Sequence, residues 1–100
     1  MIKHIALWRL KDDAGLSKEV MFAITKETVE GQVGHIPGLL RAEVGRNFAS
    51  HAKAWDLSLV TEFEDMAALQ TYHQHPIHLQ IRAKVDGFVA MSAFVDFESA

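Results

Sequence analysis

The chain has no cysteine, and it has only two prolines and one tyrosine in 100 residues. Without cysteine there is no disulfide, no thiolate nucleophile and no Cys-ligated zinc, and the compartment defaults to the cytoplasm. No apolar run reaches the roughly 18–20 residues that a bilayer-spanning helix needs. The opening Met1-Ile2-Lys3-His4-Ile5 leads into a strand-like segment. It has neither an apolar h-region nor a small-residue cleavage site, so no signal peptide is expected. Cationic excess is also missing. The net charge is −3, and Lys and Arg are scattered singly among Asp and Glu. With no basic stripe to neutralise phosphates, and no cations interleaved with the two tryptophans, nucleic acid and anionic membrane surfaces are disfavoured as partners.

What remains is a composition of 49% hydrophobic and 23% charged residues, that of a folded globular chain. Its length allows one core and one domain, residues 1–100. There is no internal repeat and no low-complexity tract.

Ile2 to Leu10 is rich in strand formers and ends at Lys11-Asp12-Asp13-Ala14-Gly15. Ser17 is an N-cap candidate, with Leu16 and Met21 spaced as a hydrophobic staple. The helix that follows carries its stripe on Val20, Ile24 and Val33, joined by Ala23 and Thr28. It should fail at Gly31 or Gly34, and Pro37-Gly38 enforces the break. Leu39 to Phe48 and Ala54 to Phe63 read as two strands of an antiparallel hairpin, joined through the polar Asn47 to Lys53. Asp65 caps a second helix through Met66, Leu69 and Tyr72. Pro76 forces a restart at His75-Pro76, and Leu79, Ile81 and Val85 continue to Asp86-Gly87. Phe88 to Phe97 is the last strand. The order is β-α-β-β-α-β, a ferredoxin-like α+β fold with a four-stranded antiparallel sheet and helices on one face.

The strands alternate poorly. Ile2, Ala6, Trp8 and Leu10 share one face of the first, yet Ile5 and Leu7 occupy the other. In the last, Val89, Met91, Ala93, Val95 and Phe97 lie opposite Phe88, Ala90 and Phe94. Two helices cover only one side of such a sheet, so the other apolar side needs a second copy. A homodimer through the open sheet face is the expectation.

Several stretches resemble the stress-responsive α/β-barrel (Dabb) family. They are Ile2-Lys3-His4-Ile5 with Leu7 and Leu10; Ile36-Pro37-Gly38; Val44-Gly45; and Asp56-Leu57 with Leu59. Phe63-Glu64-Asp65 leads to Leu69, Tyr72 and His75-Pro76-Ile77-His78, and Val95-Asp96-Phe97-Glu98 closes the chain. The resemblance implies a dimeric α+β barrel. It also implies, by analogy with a plant polyketide cyclase of the family that forms olivetolic acid, an aldol closure promoted by Tyr72 and His78, with His4 as a further pocket histidine. Leu57 stands where that cyclase has a third-strand histidine, a departure in the pocket lining. Some relatives hold a hard cation such as magnesium on main-chain carbonyls near Val33 to Leu39. That is an implication of family alone, and otherwise no cofactor is expected.

Removal of a proton beside a carbonyl needs a base and a donor for the enolate oxygen. Histidine and tyrosine suit these tasks. On an unbroken helix Tyr72 and His78 would lie about 240° apart, so only the Pro76 break can turn both toward one pocket, with His4 closing the opposite side. Structural roles stand beside these: His78 on a backbone carbonyl, Tyr72 as a core aromatic. His73 is expected to face water and His75 to act as a cap, so their spacing with His78 makes a poor metal site. Trp8 and Trp55 can stack on a ligand or serve as core or interface anchors. Three functions follow: an acid–base enzyme acting on a small hydrophobic carbonyl compound, a non-catalytic stress or assembly dimer, and a haem-degrading or cofactor-free monooxygenase.

Overall fold

The computed structural model describes residues 1–100. The order is β1 (Ile2–Leu10), α1 (Lys18–Glu30), β2 (Leu39–Arg46), β3 (Leu57–Phe63), α2 (Met66–Gln74), α3 (Pro76–Val85), a 3-10 turn (Asp86–Phe88) and β4 (Val89–Glu98). The strands form one sheet in the order β2-β3-β1-β4, antiparallel throughout. This is the ferredoxin-like βαββαβ architecture. No helix is long and apolar enough to cross a membrane.

Local chemistry sets the helix ends. The Ser17 hydroxyl accepts from the Val20 amide at 3.2 Å, and the Asp65 carboxylate accepts from the Ala68 amide at 2.8 Å, each satisfying an orphan donor of a first turn. His75 ends α2 and caps α3, its Nδ1 accepting from the Ile77 amide at 3.1 Å. Pro76 then occupies the first turn of α3, where its missing N–H costs nothing. Gly38, at φ +82°, turns the chain into β2; a Cβ there would meet the Ala68 Cβ at 2.5 Å.

The buried stripe of α1 differs from the one its sequence predicts. Met21, Thr25 and Val29 face the sheet, whereas Val20 and Val33 are exposed. Thr25 tolerates complete burial because its hydroxyl donates to the Met21 carbonyl one turn back, at 2.8 Å. Leu79, too, turns outward. At the sheet edge Glu30 accepts from the Val44 amide at 3.0 Å, and Lys26 donates to the Val44 carbonyl at 3.2 Å, so α1 occupies the free backbone groups of edge strand β2. Lys26, and next the Val44 amide, hold the Glu30 carboxyl below its ordinary value.

Both hairpin strands are shorter than expected. The connection runs from residue 47 to 56, opening with a turn in which Asn47 and Ala49 exchange two hydrogen bonds, and Asp56 is drawn to the Leu10 amide at 2.7 Å. A register shift between Arg9 and Leu10 in the β1–β4 ladder moves Val89 to the helix side, a correction to its expected place beside Met91. Met91, Val95 and Phe97 remain on the outer face with Leu7, all substantially exposed. The outer rim carries Lys3, Arg41, Glu43 and Glu62 in a chain of ion pairs.

Candidate active site

A cavity of about 270 Å3 lies between the helices and the inner face of β1 and β4. Ala6, Val29, Leu59, Ile81, Val85 and Val89 make its apolar wall. Tyr72 on α2 and His78 on α3 enter it together. Their ring centroids are 4.0 Å apart and their planes 37° from parallel, a close tilted contact. The break at His75-Pro76 is what joins them, since an uninterrupted helix would have pointed them apart.

The Tyr72 hydroxyl is defined by Gln32, a buried residue just past the end of α1. The Gln32 Nε2 donates to the Val29 carbonyl at 3.1 Å and to the Tyr72 oxygen at 3.3 Å. The first bond fixes which end of the amide is nitrogen, and the second leaves the phenolic proton free to donate. Burial pushes the Tyr72 phenol above its ordinary value, with Gln32 and Arg82 opposing. It is therefore a proton-bearing donor at neutral pH.

His78 is the complement. Its Nδ1 is buried with no hydrogen-bond partner. Burial, followed by His73, Arg82 and His4, pushes its pKa down to about 4, with Asp86 opposing. The ring is neutral at pH 7 and keeps a lone pair for a proton.

His4 stands on the sheet wall, its Nδ1 paired with the Asp96 carboxylate and its ring tilted 32° against Phe94 at 5.5 Å. His73 does not face only water: exposed at the mouth, its ring lies 6.2 Å from both His4 and His78 and 5.9 Å from Tyr72. No three of the His, Asp and Glu side chains are placed to share a metal ion. In the turn segment implied to hold magnesium, the Gln32 and Ile36 carbonyls accept from the His35 and Leu39 amides.

Of the predicted lining residues, Trp8 borders the cavity. Leu57 is 2% exposed, packed in the core with Val44 and Leu59 rather than facing the cavity. Trp55 lies elsewhere, in a separate shallow depression with the Arg9 guanidinium 4.8 Å over its ring. Gln32, His73 and Asp96 are functional candidates that sequence reasoning missed. Asp96 is announced only by the pairing of β4 with β1, and Gln32 only by its contact with the Tyr72 hydroxyl.

The arrangement therefore offers a neutral base, a neutral donor and a second, carboxylate-paired imidazole around an apolar space, the elements of proton transfer beside a carbonyl.

Comparison with known proteins places this geometry in context. The family model for the stress responsive A/B barrel domain matches residues 2–99. No curated protein matches the chain. Among solved structures, a dimeric protein of ferredoxin-like fold from Bacteroides fragilis is 29% identical, with TM-score 0.84 over 98% of this chain and 95% of the other. A protein from Arabidopsis thaliana has TM-score 0.84 at 20% identity, covering 100% and 96%. An antibiotic biosynthesis monooxygenase has TM-score 0.73 at 18% identity, covering 100% and 99%. The last two likenesses establish fold alone.

Proposed function

The chain belongs to the stress-responsive A/B barrel domain family, and on that premise we propose that it is a homodimeric acid–base enzyme acting on a small apolar carbonyl compound. The observation that carries the reading is the close contact of Tyr72 with His78, at 4.0 Å, in the wall of an apolar cavity.

The apolar wall takes the hydrocarbon part of the compound out of water. The carbonyl oxygen lies at the Tyr72 hydroxyl, whose proton is directed away from Gln32. His78 takes the proton from the adjacent carbon, and Tyr72 stabilises the enolate oxygen without losing its own proton. Negative charge developing on the enolate beside His78 favours its protonated form and opposes the burial that depresses its pKa to about 4. The open volume also favours this reading over a dimer built only for assembly, whose pocket would be filled by side chains.

A second copy is the natural cover for the outer sheet face, where Leu7 on β1 and Met91, Val95 and Phe97 on β4 are exposed. An exposed apolar sheet face marks an interaction site, and the Bacteroides fragilis structure is itself dimeric.

The test is deuterium exchange at the α-carbon of 3-phenylbutan-2-one in D2O, followed by proton NMR. The wild type should accelerate loss of the α-proton signal over buffer. His78→Ala should abolish the acceleration, and Tyr72→Phe should reduce it roughly 10–1,000-fold, the scale of one lost oxyanion donor. Equal rates in wild type and His78→Ala would refute the assignment.

A further inference from the structure

We infer that Asp96 and His4 form a second proton-transfer centre on the sheet wall, with His4 touching the reacting compound and Asp96 positioning it. The inference rests on the acid–base reading of this same cavity and extends it to a two-base site.

Three observations carry it. First, His4 and Asp96 are direct cross-strand partners in the β1–β4 ladder, so their side chains project from the same face of two hydrogen-bonded strands. Second, the Asp96 Oδ1 pairs with the His4 Nδ1. A carboxylate only accepts, so the neutral imidazole carries its proton on Nδ1 and leaves the Nε2 lone pair unused. Third, Phe94, two residues before Asp96, lies beside the His4 ring at 5.5 Å, tilted 32° to it.

His4 and His78 both line the cavity, one from the sheet and one from the helices. Their environments are unlike. His78 has no partner on its buried Nδ1, whereas His4 has a carboxylate that compensates positive charge as a proton arrives. Pairs of titratable groups in contrasting surroundings divide acid and base roles.

The reaction balances without a redox partner. His78 accepts a proton from the α-carbon on the helix side, and the C–H electron pair moves into the enolate. As the pair returns to carbon, His4, having taken a solvent proton on Nε2 beside the Asp96 carboxylate, donates that proton from the sheet side. One proton leaves, one arrives, and solvent resets both rings. Protonation from the opposite wall inverts the configuration of that carbon, whereas a one-base site returns the proton to the face it left.

The experiment uses the full chain and two readouts. Long-range 1H–15N correlation of the imidazoles should show His4 as the Nδ1–H tautomer in the wild type. In Asp96→Ala it should revert to the Nε2–H form, and Asp96→Glu should restore it in part. Unchanged His73 and His78 signals certify the fold. With enantiopure 3-phenylbutan-2-one in D2O, the wild type should initially lose optical activity at about twice the rate of exchange at C3, because each exchange inverts that carbon. His4→Gln and Asp96→Ala should exchange with at least 10-fold less racemisation per exchange event. An Nε2–H tautomer in the wild type overturns the inference, as does wild-type exchange with configuration retained. A wild type that does not exchange at all overturns the acid–base reading, and this inference with it.

Discussion

Replacing His78 with Gln removes one titration from the folded chain and should make the protein more tolerant of acid than its altered packing would suggest. In the fold, burial first and neighbouring cationic groups second push the His78 pKa from 6.5 down to about 4. The unfolded chain takes up this proton near its ordinary value, and the folded chain only near 4. Between those values the unfolded state binds more protons, so stability falls as the pH falls. The loss is negligible above the unfolded value and complete below the folded one. From pH 7 to pH 5 such a group costs about 1.8 kcal/mol at full strength, and about 1 kcal/mol once solvent screening of a partly buried ring is allowed for. Urea unfolding followed by tryptophan fluorescence at both pH values measures it. The other acid-sensitive groups are common to both proteins and cancel in the comparison. The wild type should lose about 1 kcal/mol more than His78→Gln between pH 7 and pH 5. Equal losses, or a His78 ring proton titrating near 6.5, would refute the account of a desolvated, unpartnered imidazole. The same titration implies that α-exchange is insensitive to the base above about pH 5.

Two other perturbations probe separate parts of the structure. Tyr72 is the sole tyrosine, so absorbance at 295 nm reports its ionisation alone; Gln32→Leu should move the midpoint to higher pH, because it removes a donor that favours the phenolate, and an unmoved midpoint would mean that the bond to Gln32 is not made. Val95→Asp puts a charge on the apolar outer face of β4 in each protomer, about 3 kcal/mol or more against association, so sedimentation velocity should show a monomer where the wild type is a dimer; a wild type that stays monomeric at micromolar concentration would remove the case for that interface.

The fold was legible in the sequence because its punctuation is local. Ser17, Asp65 and His75-Pro76 each act within one helical turn, and the structure finds all three at helix starts. The face of α1 was misread because Thr25 looks polar until its hydroxyl is seen to bond within its own helix. The slip that moves Val89 to the helix side arises from pairing between strands nearly a full chain apart, which no window of sequence contains. The site divides in the same way. Tyr72 and His78 could be joined on paper because a proline stands between them. Asp96 sits near the end of a strand that is exposed from Ala90 onward, and by itself it reads as a solvated edge charge. Only the ladder with β1 brings it to His4. Leu57 and Trp55 were credited to the pocket by alignment and by size, and the core and Arg9 claim them instead.

The break between α2 and α3 also dictates where the chain can change length. Tyr72 and His78 belong to different helices, and their contact depends on the few residues of the joint. One residue inserted between Pro76 and His78 would swing the imidazole by about 100° around the α3 axis, away from the phenol. An insertion in the exposed connection between Phe48 and Lys53 would cost only loop entropy, about 0.6 kcal/mol even for a doubled loop. Homologous chains that keep this pocket should therefore vary in length at the hairpin tip and hold the six-residue interval from tyrosine to histidine without a gap.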